Sequence, residues 1–162
     1  MKRRQAGFTL IELIIVIIIL GVLAATALPR FVQMQTQARI AVLNGLRGSV
    51  QGAMVLSHAL SLALGQTAAL NNVTMEGQPV TVVNNYPTAD TLGIMSGISN
   101  YAIVANQTAD GIATVNGGAG AGAVLNIQVL GGSNPTNCTF SYTNPALAGT
   151  AAVVSTITTS GC

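Results

Sequence analysis

From Phe8 to Leu28 the chain reads FTLIELIIVIIILGVLAATAL, a run in which only Thr9, Glu12 and Thr26 are polar. An α-helix of this length spans about 31 Å, the thickness of a bilayer hydrocarbon core. The pattern then changes. Between Arg30 and Gly65, apolar residues recur every three or four positions (Ala38, Leu43, Leu46, Val50, Ala53, Leu60, Leu64), with Gln33, Gln35, Gln37, Arg39, Asn44, Arg47 and Gln51 among them. This spacing predicts an amphipathic helix with one buried face, continuing the apolar one. Gly45, Gly48 and Gly52 weaken helix propensity and are expected to let a sheet or a neighbouring helix approach closely. Gly21 and Pro29 interrupt the first half, and a kink or a locally melted stretch is expected between them.

Beyond Gly65 the period shortens to β-type runs punctuated by Gly, Asn, Pro and Thr, which predicts an antiparallel sheet. Val73–Met75 and Val80–Val83 flank Glu76-Gly77 as a hairpin. Further strands are expected at Tyr101–Ala105, Ile112–Val115, Val124–Leu130, Thr139–Thr143 and Ala152–Thr158, with a short helix over Asp90–Ile98. The glycine run at 117–122 lacks the Gly-Lys-Ser/Thr ending of a phosphate cradle and is read as a loop. The fold class is therefore α+β, a long N-terminal helix whose second half packs on an antiparallel β-sheet head. Four segments follow: 1–7, a basic leader; 8–29, a hydrophobic transmembrane helix; 30–65, its amphipathic continuation; and 66–162, the head.

Charge sharpens this division. The 162 residues carry six Lys/Arg and four Asp/Glu, only 6% charged, against about a quarter in ordinary soluble domains. Lys2, Arg3 and Arg4 lie in the leader and no basic residue follows Arg47, so the head has no cationic surface for nucleic acid. The three leader positives should stay cytoplasmic, sending the remainder of the chain outward. Ala24-Ala25-Thr26-Ala27 could serve as an ordinary signal cleavage site. Glu12 weighs against that reading, because an acidic residue inside an apolar span is costly and implies a use.

Gly7-Phe8-Thr9-Leu10-Ile11-Glu12 resembles the type IV prepilin signature, a glycine, a hydrophobic residue and a glutamate five positions into the mature chain. The resemblance is close over roughly the first 50 residues and implies the pilin fold. It implies that prepilin peptidase cuts between Gly7 and Phe8 and N-methylates Phe8, and that Glu12 is the assembly glutamate. Removing the leader leaves three Lys/Arg against four Asp/Glu, a net charge of −1. The new ammonium at Phe8 and the Glu12 carboxylate are each expensive in an apolar medium unless paired. We therefore expect Glu12 of one subunit to pair with the Phe8 amine of a neighbour, with pairing inside one subunit as the alternative. The resemblance also associates Pro29 with loosening of the helix in the filament. LPRFVQMQTQARIAVLNGLRGSVQGA and YPTAD resemble MSHA-type pilins, which mediate attachment to surfaces.

An exported chain with two cysteines is most simply read as holding one disulfide, Cys138–Cys162. The family resemblance makes the enclosed segment, through Tyr142, Asn144 and Pro145, an exposed variable edge. No catalytic residue, metal ligand set or cofactor is assigned. His58 stands without a nearby acid or cysteine and is read as a packing or surface residue, and Glu76, Asp90 and Asp110 are dispersed. The expected partners are further copies of the chain in a helical filament, prepilin peptidase, the inner-membrane assembly machinery and the membrane itself. A type II secretion pseudopilin is the nearest rival, and a membrane-anchored periplasmic enzyme is a more distant one.

Overall fold

A computed structural model describes residues 8–66, 70–98 and 111–162, and the backbone of 108–109. Residues 1–7, Gly7 among them, and the strand expected at Tyr101–Ala105 lie outside the described residues. The chain divides into two compact units at Gln37/Ala38.

Helix α1 runs without interruption from Leu10 to Ala63 and supplies all described regular structure of the first unit. It is helical through both Gly21 and Pro29, with no melted stretch between them in the single chain. Pro29 removes one backbone donor, but the Leu- and Ala-rich residues around it are strong helix formers. The helix ends in a Schellman motif. Gly65 has φ of 63°, its N–H reaches the Leu62 carbonyl at 3.0 Å, and the Gln66 N–H reaches that of Ser61 at 3.1 Å.

In the second unit one stripe of α1 is buried: Leu43, Leu46, Val50, Ala53, Ser57 and Ser61. The first four are the expected core positions. Ala38 and Leu64 are instead exposed and Leu60 is half-buried, because the stripe continues through two serines. Their hydroxyls are satisfied locally: Ser57 donates to the Ala53 carbonyl, and Ser61 to Asn85 Oδ1 at 3.0 Å. Gly45, Gly48 and Gly52 point the other way. A Cβ at any of them would meet open space, which corrects the expectation that they admit a close neighbour within the subunit.

The head contains two antiparallel sheets rather than one. The first has strand order β1 (Asn71–Met75), β2 (Gln78–Val83), β3 (Tyr86–Pro87). The expected hairpin turn is present, with Met75 opposite Gln78 and positive φ at Glu76 (48°) and Gly77 (81°). A second two-residue turn, Asn84-Asn85 with φ of 50° and 68°, joins β2 to β3. Both have the doubly left-handed backbone that matches strand twist. The second sheet runs in sequence order: β4 (Thr108–Ala109), β5 (Ile112–Asn116), β6 (Val124–Val129), β7 (Thr139–Thr143) and β8 (Val153–Val154).

Two further expectations are corrected. Residues 91–97 form consecutive turns, not a helix. Asp90 Oδ1 takes the Gly93 N–H at 2.8 Å and the Thr88 hydroxyl at 2.7 Å, so the segment folds around that carboxylate while Ile94 and Met95 plug the core. The last strand is short because Ser155 Oγ, rather than a main-chain carbonyl, accepts the Ser141 N–H at 2.8 Å; pairing resumes only as a bridge at Thr158. The main core joins Leu43, Leu46 and Val50 of α1 to Leu125, Ile127, Phe140 and Tyr142 of the large sheet, and Val73, Val80 and Val82 form a smaller cluster.

Candidate functional site

The start of α1 is built around two polar side chains in an apolar run. Thr9 lies just before the helix and Glu12 in its first turn. The Thr9 N–H and hydroxyl both donate to Glu12 Oε2, at 2.9 and 2.8 Å, and the Glu12 N–H returns a bond to Thr9 Oγ1 at 3.3 Å. This is a reciprocal capping box, which satisfies helix-terminal donors and holds the carboxylate in place. Farther along, the Thr26 hydroxyl donates to the Leu23 carbonyl at 2.9 Å. Every polar side chain of the apolar run is thus bonded locally, as a segment without water requires.

Among the described residues nothing covers the apolar side chains of this segment. Phe8 is 89% exposed, and Leu10 through Leu23 stay exposed along the helix. By length and composition α1 can cross a membrane. Glu12 is exposed and bonded to neutral partners only, so its charge stays uncompensated within the described residues.

At the other end of the chain Cys138 and Cys162 are joined, both buried, with Cα atoms 4.8 Å apart. The enclosed segment is not simply an exposed edge. It begins as β7, which places Phe140 and Tyr142 in the core, and Asn144 and Pro145 are buried as well. Only 146–151 form a continuous exposed stretch, because the first part of the loop is an inner strand of the sheet. Two arginines of α1 hold the segment down: Arg39 Nη1 donates to the Cys162 main-chain oxygen and Arg47 Nε to the Ser155 carbonyl, each at 2.8 Å. The sequence marks both arginines only as polar helix positions. No carboxylate nearby in sequence could have revealed that their partners are carbonyls.

The YPTAD segment joins the two sheets to the helix. The Tyr86 ring stacks on His58, with centroids 4.0 Å apart and planes at 11°, and His58 Nδ1 donates to the Asn85 carbonyl at 2.9 Å. The Tyr142 hydroxyl donates to the Pro87 carbonyl at 2.7 Å. Burial, with nearby Tyr86 adding to it, pushes ionisation of the Tyr142 phenol well above its ordinary range. Ala89 bridges to Gly118 of the glycine loop. Gly117 (φ 102°) is required there, because a Cβ would lie 2.4 Å from the Ala89 carbonyl oxygen. His58 therefore has a packing role, and its ring faces a small cleft of about 280 Å³ shared with Leu62, Asn84, Asn85 and Thr150. Among the described residues no three His, Cys, Asp or Glu side chains converge as a metal site would need.

Comparison with known proteins bears on the amino terminus. Residues 2–28 match the family model described as the prokaryotic N-terminal methylation motif. The chain is 46% identical over 54 residues to the type IV narrow pilus major component of Thermus thermophilus, covering 33% of this chain and 47% of that one. It is 46% identical over 44 residues to type II secretion system core protein G of Pseudomonas aeruginosa, covering 27% and 31%. It is 53% identical over 36 residues to the type IV major pilin protein of Myxococcus xanthus, covering 22% and 16%. Each match spans less than half of the relative. No solved structure matches the chain significantly.

Proposed function

Because the chain is a type IV pilin- and pseudopilin-like protein, with an N-terminal methylation motif at the head of a pilin fold, we propose that it is the structural subunit of a type IV pilus. In this reading prepilin peptidase cuts between Gly7 and Phe8 and methylates the Phe8 amine. The product waits in the inner membrane on its apolar helix until the assembly machinery moves it into a surface filament. The observation that carries the reading is the fully uncovered apolar segment with a capped, charge-bearing Glu12 at its start. A plain anchor would need no such carboxylate, whereas a polymer can pair it with the Phe8 ammonium of the next subunit. N-methylation keeps that amine charged, so cleavage acts as the gate on assembly.

Attachment to surfaces, as in MSHA-type pili, is the finer reading. Many identical heads on one filament turn weak contacts into avidity without any strong individual site. A pseudopilin is the second reading, favoured by the likeness to a secretion-system core protein. Intact-mass and N-terminal peptide analysis of filaments sheared from cells tests both. An abundant sheared component beginning at N-methylated Phe8 supports the pilus subunit. The same processed chain found only in the cell envelope supports the pseudopilin, and a terminus near Ala27 overturns both.

A further inference from the structure

Once the leader is gone, Arg30 is the only basic side chain in the first unit, the Phe8 amine lying at the other end of the apolar run. It is exposed and, alone among Arg30, Arg39 and Arg47, makes no hydrogen bond or ion pair within the described subunit; the other two are spent on carbonyls of the C-terminal segment. It lies at the side of a shallow groove lined by Pro29, Arg30, Gln33, Met34 and Gln37. These residues share one helix face, since Arg30, Gln33 and Gln37 follow the three- and four-residue spacing of neighbours. The groove therefore combines a guanidinium, two primary amides and two apolar surfaces.

Its height on the helix says what can occupy it. Leu10 and Arg30 are separated by roughly 30 Å of helix, about one hydrocarbon thickness. With the Phe8 end at the cytoplasmic interface, Arg30 reaches the phosphates of the opposite leaflet just where the apolar run stops. A guanidinium suits a phosphate diester, offering a planar fork of donors, and the amides can supply further N–H groups. The exposed apolar residues below it would lie beside the acyl chains of the same lipid.

We propose that Arg30, with Gln33 and Gln37, binds the phosphate of an anionic phospholipid in the extracytoplasmic leaflet of the inner membrane. The contact fixes the depth at which the subunit rests before assembly. It holds the helix at its outer end, as the leader positives do at the inner end before cleavage. The inference rests on the reading that α1 occupies the membrane. An anionic lipid is preferred because no carboxylate within the described subunit neutralises Arg30.

The test uses the full processed chain in nanodiscs of equal parts phosphatidylglycerol and phosphatidylcholine, the leader's own cations being absent. Insertion is checked first by co-elution with lipid, and failure to insert overturns the membrane reading and this proposal together. Native mass spectrometry then counts the lipids that stay bound. Wild type should retain phosphatidylglycerol over phosphatidylcholine by roughly fivefold, the preference expected of one basic residue at an anionic surface. Arg30→Gln should lose it, whereas Arg30→Lys and Arg39→Gln should keep it. Gln and Lys are good helix formers, so the two changes at exposed Arg30 leave the helix intact, and Arg39→Gln, at a half-buried residue bonded to the Cys162 carbonyl, controls for loss of a helix arginine elsewhere. Undiminished selection in inserted Arg30→Gln overturns the proposal while leaving the membrane reading standing. Loss of selection on adding excess inorganic phosphate would assign the groove to free anions and overturn it as well.

Discussion

The hydroxyl of Tyr142 donates to the carbonyl of Pro87 across 2.7 Å, tying an inner strand of the larger sheet to the last strand of the smaller one. Both residues are buried, so neither group has water as a substitute. Tyr142→Phe leaves the Pro87 acceptor unpaired and should cost about 1–3 kcal/mol in denaturant unfolding. An unchanged midpoint would show that the two sheets are held by apolar packing alone.

The same phenol links stability to pH. Its ionisation in the folded chain lies above the ordinary value of 10.0, which it takes when unfolded. Its contribution is therefore complete below about pH 10. Above that pH the unfolded state loses the proton and the folded state keeps it, so stability falls by about 1.4 kcal/mol per pH unit for this one group. Tyr142→Phe should lack that component. Parallel stability curves for the two proteins above pH 10 would contradict it.

Glu12→Ala should leave the subunit in the membrane and abolish filaments, because the Phe8 ammonium then has no partner. Thr9→Ala removes the two hydroxyl bonds of the cap but keeps the main-chain N–H bond and the charge, and should lower filament yield less than Glu12→Ala. Thr9→Ser keeps both bonds available and should assemble normally. Immunoblots of sheared and membrane fractions read all three, and abundant filaments from Glu12→Ala would exclude pairing through that carboxylate.

Much of this framework is legible in the sequence because it depends on local periodicity. The helix, its Leu43–Ala53 stripe, the Glu76-Gly77 hairpin and the cysteine pair all follow from spacing or from residue type. What escapes reading depends on long-range partners. Ser57 and Ser61 look like solvent positions until the helix backbone and Asn85 satisfy them. Tyr86–Pro87 is too short to show alternation, and its Asn84-Asn85 turn lacks the glycine that makes hairpins conspicuous. Residues 90–98 carry helix-compatible apolar spacing, but the Ile94 and Met95 N–H groups bond the Thr88 and Asp90 carbonyls, six and five residues back, instead of building a four-residue helical ladder. Of the candidate site, Glu12 is visible from its improbable setting, whereas the task of Arg39 and Arg47 is set by carbonyls more than a hundred residues away.

Glycines separate into two classes that alanine can distinguish. A Cβ at Gly93 would sit 2.1 Å from Thr88 Oγ1, so Gly93→Ala must displace the turn around Asp90 and should be severely destabilising. Gly45→Ala meets nothing and should stabilise the isolated subunit by roughly 1 kcal/mol through helix propensity. Thermal unfolding of the pair checks both signs.

Reducing the disulfide should cost roughly 3.5 kcal/mol in the chain-entropy model. Arg39→Ala should then cost less in the reduced chain than in the oxidised one, because a released Cys162 is no longer held for the guanidinium. Equal costs in the two redox states would mean that the arginine alone positions the segment.

Between Pro145 and Ala152, both buried, six consecutive residues face solvent. The strand before them is fixed in the core, and Cys162 is fastened by sulfur and by Arg39. Chain length here is thus decoupled from folding, since entropy rises only slowly as a surface loop grows. If the chain polymerises as proposed, foreign peptide spliced into this stretch would be repeated once per copy along the fibre, turning one chain's tolerance for insertion into a regularly spaced display.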